Sequence, residues 1–429
     1  MKEFLRKKGS ALILIFLYII TGYIPNFGAV DVISNQWFFL NLLNITSFIY
    51  IIYNDTNFFF THKRTLLNSI TVIFLTFILW GLLSYFYAIN PNEVIVKFSR
   101  WINVLCGILI VSILLKKFNN QFKALAYIMS FALLVEISAS LSQYINLLQI
   151  TTYDFSKTLF IKGLTANKNV TSASIIVKIP FLLYLIWDSK KIILKYIYSI
   201  ILFSAFYNII ILSSRASYIS ISLLILLIAI YFVITGIKYK NLKNNLNQYL
   251  LYPLFALTFS ILFSFISLGS SNSATISNRI TTINTTDTSA SQRLRYYGHS
   301  IEQVKNNPIL GVGLGNWKIK SIDYDHLNMN GYTVPYHVHN DFLEIAAELG
   351  LFGFLLYFSI FLIIGIFFFK FILYHKLDHK GVIPSIILGL SLLCYLIDAN
   401  LNFPHARVIN QISFIFIISA FINFKYEDS

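Results

Sequence analysis

The polar side chains best suited to chemistry lie close together between residues 323 and 344 of the 429-residue chain. Histidine, carboxylate and amide side chains make up this group: Asp323, Asp325, His326, His337, His339, Asn340, Asp341 and Glu344. Such side chains act as general acids and bases when their pKa values are tuned, and they also bind metal ions. A candidate functional site is therefore expected in this segment.

His339 is the strongest candidate within the segment. The spacing Asp341-x-x-Glu344 is that of a capping box, which predicts a helix that begins here with His339 just ahead of it. A helix N-terminus and nearby arginines both disfavour an imidazolium, so they predict a neutral His339 that can accept a proton at pH 7. An isolated histidine at this place would more often be structural. Asn340 and Glu344, which are expected to orient the ring and cap the helix, favour a general base instead.

Two other chemistries are conceivable for the same segment. His337-x-His339 together with Asp323, Asp325 and His326 could ligate a metal ion. The helical spacings HxxxH and HExxH are absent from this segment, so no metal is expected. A serine nucleophile is not expected either, because the chain has no GxSxG motif.

One long helix follows the candidate site. It is predicted from Asp341 to Tyr374, and its 34 residues would extend about 51 Å. The hydrocarbon core of a bilayer is only about 30 Å thick, so the first turns must lie outside it. Gly350-Leu-Phe-Gly353 is the predicted break between the two parts.

A second helix and a glycine-rich turn precede the site. The helix is predicted from apolar residues at helical spacing and from the Asn307-Pro308 that ends the run: Leu294, Tyr297, Ile301 and Val304. The turn is Gly311-Val-Gly313-Leu-Gly315. No predicted strand precedes it and no long helix follows, so it is not a dinucleotide-binding motif.

The composition is that of a membrane protein. Hydrophobic residues make up 57% of the chain and charged residues 12%, and the mean hydropathy is +0.69. A soluble domain carries about 25% charged residues. This balance argues against soluble enzymes, nucleic-acid binders and disulfide scaffolds. Disulfide scaffolds are excluded for a second reason: the two cysteines, Cys106 and Cys394, lie within apolar runs.

The hydropathy pattern predicts an all-α polytopic protein with about 12 transmembrane helices. The predicted spans lie near 10–24, 31–53, 66–89, 95–115, 122–148, 170–187, 192–212, 216–235, 249–268, 351–374, 382–400 and 406–424. Lysine-rich connections then fall on the same side as both termini, which the positive-inside rule makes cytoplasmic. The chain divides into spans one to nine (1–268), a large outer loop with short helices (269–340), and an interfacial helix with spans ten to twelve (341–429).

The arginines follow a different distribution from the lysines. Six of the eight are predicted on the outer side: Arg100, Arg215, Arg279, Arg293, Arg295 and Arg407. Arginine suits bidentate binding of phosphate, so these residues predict an anionic substrate, with Arg215 and Arg295 favoured over Arg279. Charges within spans usually pair, so Lys178 is expected to pair with Glu136 or Asp398 or to snorkel.

The residues around His339 resemble a known family. His339-Asn340, nine residues and then Gly350-Leu-Phe-Gly353 are similar to the H[NSQ]-x9-GxxG signature of the bacterial O-antigen ligase family. That family shares a superfamily with O-antigen polymerases and O-linked oligosaccharyltransferases. Other segments are similar as well: Arg295 and Gly311 with fifteen residues between them, Arg215 in SSRAS, Gly163–Asn169 (GLTANKN) and Asp398–Arg407 (DANLNFPHAR).

The resemblance implies a metal-independent glycosyltransferase with a GT-C-like fold, active at the periplasmic face of the bacterial inner membrane. Its donor would be a glycan on undecaprenyl diphosphate, and its acceptor a hydroxyl on lipid A-core. Catalysis would involve His339 as base, with Arg215 and Arg295 on the diphosphate. Substrate binding would involve Arg293, Arg407, Asn340, Glu344, Tyr296, Tyr297 and Trp317, the aromatic rings by stacking on sugars.

Two alternative functions stay open, and a third is less favoured. A polymerase would extend lipid-linked glycan, and a protein O-oligosaccharyltransferase would use a protein hydroxyl. A flippase for lipid-linked glycans is less favoured, because transporters tend to show matching repeats in two halves and this chain shows none.

Overall fold

The computed structural model describes residues 2–268, 288–329, 334–375 and 380–427. Within these ranges every regular element is a helix. Ten helices are long and apolar enough to cross a membrane, and two shorter apolar helices, Gly9–Thr21 and Val408–Phe424, bring the total to the predicted twelve. The prediction of an all-α polytopic membrane protein is confirmed. Arg279 and residues 269–287 of the predicted outer loop lie outside the described residues.

The chain forms two compact units, each discontinuous in sequence. The first comprises 1–117, 285–369 and 399–429, and the second comprises 118–284 and 370–398. Helices of the first unit are α1 (Lys2–Thr21), α2 (Ser34–Asn54), α3 (Ser69–Leu83), α4 (Pro91–Leu115), α10 (Thr288–Asn306), α11 (Trp317–Asp325), most of α12 (Asp341–Tyr374) and α14 (Val408–Glu427). Those of the second are α5 (Gln121–Leu148), α6 (Lys168–Asp188), α7 (Ile192–Leu212), α8 (Arg215–Lys238), α9 (Leu251–Leu268) and most of α13 (Val382–Leu401).

Short helical turns connect these helices. They are Phe58–Thr61, Lys63–Leu66, Ser84–Phe86, Phe155–Phe160, Leu242–Asn245, Leu246–Leu250, His326–Asn328 and Pro404–Ala406. Large apolar side chains are exposed along several spans, among them Ile49, Leu79 and Ile266. Exposed apolar surface on long apolar helices is what a lipid environment requires.

In the first unit, α4 packs against α2, α3 and α14. Aromatic side chains fill this core: the ring of Trp101 lies 5.2 Å from that of Phe77 and 5.6 Å from that of Tyr357 on α12. This packing places Lys97, in the second turn of α4, in contact with Glu344 at the start of α12. The predicted span at 95–115 begins earlier than expected, at Pro91, because Asn90 caps the helix.

In the second unit, α6 is the buried centre, and it packs against α5, α7 and α8. The ammonium of Lys178 on α6 lies 2.9 Å from a carboxylate oxygen of Glu136 on α5, and both side chains are almost wholly buried. Ser174, one turn earlier on α6, donates to the same carboxylate. Of the two predicted partners of Lys178, Glu136 is therefore confirmed.

The buried ion pair generates a stability prediction. Glu136→Gln leaves a buried ammonium without its counter-charge, so we expect it to destabilise the protein by about 3–5 kcal/mol. The double variant Glu136→Leu/Lys178→Met, which removes both charges, should recover most of this loss. Thermal unfolding in detergent, followed by size-exclusion chromatography, measures the difference.

The matched control is the exposed pair Lys123–Asp188 on the ends of α5 and α6, whose side chains are 38% and 36% exposed. Asp188→Asn should change stability little, because exposed pairs contribute about 0–1 kcal/mol. An equal loss of stability in Glu136→Gln and Asp188→Asn would show that burial does not increase the contribution of the Lys178–Glu136 pair.

Candidate active site

His339 occupies a strained backbone position two residues before α12. Its φ angle is +63°, in the left-handed region that residues other than glycine rarely adopt. The hydroxyl of Tyr297 on α10 holds this position by donating to the carbonyl of His339 at 3.0 Å, and it also contacts the carbonyl of Asn400 at 2.9 Å. Strain of this kind persists only where surrounding contacts fix it, and it is concentrated at functional sites.

α12 begins where the sequence predicts, but its cap differs from the predicted capping box. The side chain of Asn340 caps the helix by accepting from the backbone N–H of Leu343 at 3.0 Å. Asp341 and Glu344 point to other partners instead. The reason is that both carboxylates meet cationic or N–H groups brought from distant parts of the chain, which the local spacing does not reveal.

The ring of His339 is half-buried between two aromatic side chains. It stacks on Tyr296 with a centroid separation of 6.5 Å and meets the ring of Phe403 edge-on at 5.0 Å. Its Nδ1 atom is buried and has no hydrogen-bond partner among the described residues. Burial, the positive charge of Arg293 and neighbouring His337 together lower the pKa of His339 to about 4. The imidazole is therefore neutral at pH 7.

Glu344 connects the helix to the residues before His339. Its carboxylate accepts from the backbone N–H of Val338 at 3.0 Å and lies 3.2 Å from Nδ1 of His337. The ring of His337 stacks on Phe403 at 4.4 Å. Burial lowers the pKa of His337 more than Glu344 raises it. Glu344 thus fixes the two residues that immediately precede His339.

Sequence reasoning missed two residues of the site, Lys97 and His405. His405 places Nδ1 2.5 Å from a carboxylate oxygen of Asp341 and Nε2 3.1 Å from Glu344. Lys97 places Nζ 2.7 Å from Nε2 of His405 and 3.4 Å from Glu344. Burial and the charge of Lys97 lower the pKa of His405, whereas Asp341 and Glu344 raise it. The signals available for these residues were a lysine within the predicted span 95–115 and a histidine beside the proline of DANLNFPHAR.

The predicted phosphate-binding arginines have different surroundings. Arg295 forms a bidentate ion pair with Asp325 at 2.6 and 3.2 Å, which raises its pKa. Arg293 on the same helix lies near His339 and donates to Asn402 at 3.4 Å. Arg407 lies over the ring of Phe403 at 5.3 Å, and its Nε is buried without a hydrogen-bond partner among the described residues. Arg215 is the first residue of α8, in the second unit.

The carboxylates named in the metal alternative have other partners. Asp325 binds Arg295, Asp323 lies 2.9 Å from the ammonium of Lys320, and His326 contacts the carbonyl of Asp323. Among the described residues, the group with metal-ligand spacing is His337, Glu344 and His405.

Trp317 differs from its expected role in sugar stacking. Its side chain is 0% exposed and packs in a core with Val338 and Ala347, so its ring offers no face to a ligand. Tyr297, also expected to bind sugar, packs against this core and uses its hydroxyl to hold His339. Trp317 holds the chain at Val338 against α12, because it packs on both Val338 and Ala347.

The glycine-rich turn docks against the break in α12. Gly350 has non-helical angles (φ +68°, ψ −174°), so the break is at the predicted position. The N–H of Gly313 donates to the carbonyl of Glu348 at 2.8 Å, and that of Leu351 donates to Pro308 at 2.8 Å. A Cβ on Gly350 would lie 2.1 Å from the carbonyl oxygen of Ile309, and one on Gly311 2.4 Å from that of Glu348. The glycine-rich turn and the Gly350 break therefore pack directly against each other.

The fold and this site define a multi-pass membrane protein with a strained, neutral histidine at the start of a broken helix. Residues 199–358, which contain His339 and both glycine motifs, match the O-antigen ligase family (Wzy_C). The predicted family resemblance is confirmed over that segment. A protein of Rickettsia conorii named "Putative polysaccharide ligase" is 37% identical over 76 residues, which cover 17% of this chain. The match spans 18% of that relative's length.

The docked glycines generate a second prediction. Gly350→Ala places a side chain at φ +68° and ψ −174°, a region that essentially only glycine adopts and that costs about 1–3 kcal/mol, and it adds a clash with the Ile309 carbonyl. We expect lower thermal stability and loss of the native position of the 308–313 turn. Limited proteolysis together with thermal unfolding in detergent measures both effects.

Gly365→Ala on the same helix is the matched control, because a Cβ there would meet nothing within 4 Å. This variant should be as stable as the wild type or slightly more stable. A Gly350→Ala protein that unfolds at the same temperature as Gly365→Ala would contradict the proposed contact between the two motifs.

Proposed function

We propose that the protein is an O-antigen ligase-like glycosyltransferase. It transfers a glycan from undecaprenyl diphosphate to an acceptor hydroxyl on lipid A-core, at the periplasmic face of the bacterial inner membrane. The observation that carries the proposal is His339: it stands in the His-Asn motif of a family-matched segment, its backbone is strained and its ring is neutral. Both termini are proposed to be cytoplasmic.

His339 acts as the general base in this proposal. It takes the proton of the acceptor hydroxyl, whose oxygen attacks the anomeric carbon on the face opposite the diphosphate. The bond between that carbon and the diphosphate oxygen breaks, so undecaprenyl diphosphate leaves and the configuration inverts. Because the diphosphate is already a good leaving group, the protein supplies mainly positioning, charge stabilisation and one base.

Arg293 and Arg407 are the proposed principal ligands of the diphosphate. Arg293 already acts on the charge state of His339, and Arg407 has a buried Nε that lacks a partner among the described residues. Arg295 stays a predicted ligand of the diphosphate, although Asp325 compensates its charge. The predicted role of Arg215 in binding the same diphosphate stays a prediction, as does sugar stacking by Tyr296.

Replacement of the proposed base gives the third prediction. A general base contributes typically about 10²–10⁴-fold to a rate, so His339→Ala should lower transfer by at least about 100-fold at unchanged expression. His326→Ala, an exposed histidine earlier in the same segment, is the control and should transfer normally. Transfer is measured as long glycan on lipid A-core in a deletion strain that carries each variant.

The same assay separates the alternatives. Loss of long glycan with accumulation of full-length lipid-linked chains supports a ligase, and single repeat units left on lipid A-core support a polymerase. His337 is the rival base, because a carboxylate orients its ring as in many catalytic pairs. Normal transfer by His339→Ala with no transfer by His337→Ala would replace His339 in the mechanism.

The pH dependence of kcat/KM gives the fourth prediction. A histidine of ordinary pKa would lose about 90% of its neutral form by pH 5.5. Because burial and Arg293 lower the pKa of His339 to about 4, kcat/KM should show no such loss between pH 7.5 and 5.5. Arg293→Gln removes a repelling positive charge, so the pKa of His339 rises. The acid limb of the kcat/KM profile then moves to higher pH.

Arg295→Gln is the matched comparison on the same helix, because Asp325 already compensates the charge of Arg295. Its acid limb should move less than that of Arg293→Gln. Equal shifts in the two variants, or a wild-type limb near pH 6.5, would contradict the assignment of His339 as the titrating base.

A further inference from the structure

Beside His339 lies a buried cluster of charged side chains that the proposed reaction does not use. Its members all belong to the first unit and are Lys97, His337, Asp341, Glu344 and His405. Asp341, Glu344 and His405 are at most 2% exposed, Lys97 is 13% exposed and His337 22%. Two carboxylates this deeply buried require positive charge in contact with them.

Three of these side chains have the arrangement of a metal ligand set. Nδ1 of His337, a carboxylate oxygen of Glu344 and Nε2 of His405 all lie within 4.8 Å of one another. Two histidines and one glutamate form a known set of protein ligands for zinc. Asp341 adds the usual outer partner, because it holds the other ring nitrogen of His405 at 2.5 Å.

Lys97 brings its ammonium to this ligand set. Nζ lies 2.7 Å from Nε2 of His405 and 3.4 Å from Glu344, so it contacts two of the three groups. A zinc ion bound there would need distances of about 2.0–2.2 Å to the same atoms. The two cations cannot be in place together, since an ammonium so close would clash with the ion and repel it.

The cluster is joined to His339 through the backbone. Glu344 accepts from the N–H of Val338, the residue directly before His339. His405 belongs to the Pro404–Ala406 turn, and its ring stacks on Trp101 of α4 at 6.0 Å. Lys97 therefore connects three segments, α4, the 404–406 turn and the start of α12, at the point where the strained residue is held.

We propose that the ammonium of Lys97 takes the place of a divalent metal ion in this cluster and positions His339. A variant without it would bind Zn²⁺ or Co²⁺ through His337, Glu344 and His405. The positioning half rests on the proposed function, whereas the metal-binding half does not.

Lys97→Ala tests the metal-binding half with Co²⁺ as the probe. The full-length protein, purified in detergent and treated with a chelator, should bind about one Co²⁺ per chain with the visible absorption of a four-coordinate site. The wild type and Lys97→Arg should bind none, because each retains the cation. Lys97→Ala/His405→Asn should lose the absorption, since one ligand is gone. Lys97→Gln replaces Lys97→Ala if the latter does not fold.

Transfer activity tests the positioning half. In Lys97→Ala, kcat should fall by about 10- to 100-fold, the range for residues that orient a functional group, while KM for the donor changes little. Lys97→Arg should retain more activity than Lys97→Ala. Saturating Zn²⁺ should restore part of the activity of Lys97→Ala and none in the double variant.

Three results would overturn the inference. They are equal Co²⁺ binding by the wild type and Lys97→Ala, no binding by either Lys97→Ala or Lys97→Gln, and wild-type kcat in Lys97→Ala. Failure of the proposed function would be seen separately, as normal transfer by His339→Ala, and it would leave the Co²⁺ result unaffected.

Discussion

Burial of the two carboxylates in the first turn of α12 is the constraint on which the site depends. Asp341 is 0% exposed and Glu344 2%, and an unpaired buried charge costs several kcal/mol. The charges that compensate them come from Lys97 and His405, which are 247 and 64 residues away in sequence from their carboxylate partners. α4 and the 404–406 turn must therefore approach the start of α12. The position of Lys97 in the second turn of α4, a predominantly apolar helix, follows from this requirement.

A second constraint is the left-handed backbone of His339. Such a conformation is unfavourable for a residue with a side chain, so several contacts must fix it together. Tyr297 holds the carbonyl of His339, Asn340 caps the helix that follows, and Glu344 holds the N–H of Val338. The docked glycines fix the other end of the same helical segment at Gly350. Between these two ends, the first turns of α12 have little freedom to move.

Much of the fold could be predicted from the sequence because a membrane span is a local property. About 20 apolar residues suffice to mark one, and the twelve spans each correspond to a helix. The break at Gly350 and the end of α10 near Asn307 were also local signals. Side-chain partners could not be predicted in this way. Asp325 neutralises Arg295 from 30 residues away, and Trp317 is buried because Val338 and Ala347 cover it.

The same reasoning explains why the glycine motifs were only half understood. Gly311, Gly313 and Gly315 predicted a tight turn, and Gly350 predicted a helix break. Nothing in either segment indicates that Gly313 donates to Glu348 or that Leu351 donates to Pro308. Backbone hydrogen bonds carry no side-chain signature, so their partners become visible only in three dimensions.

Under the proposed function, the electrostatics of the site would couple binding of the donor diphosphate to activation of His339. Burial and Arg293 lower the pKa of His339 to about 4, so the ring is neutral but a weak base. Burial lowers the pKa of Arg407 more than the charge of Asp31 raises it. Under the proposed function, a diphosphate would add negative charge beside Arg407, compensate Arg293 and raise the pKa of His339 toward the operating pH. The ring would then become an effective base only when the donor is in place, because the group that leaves also tunes the group that takes the proton.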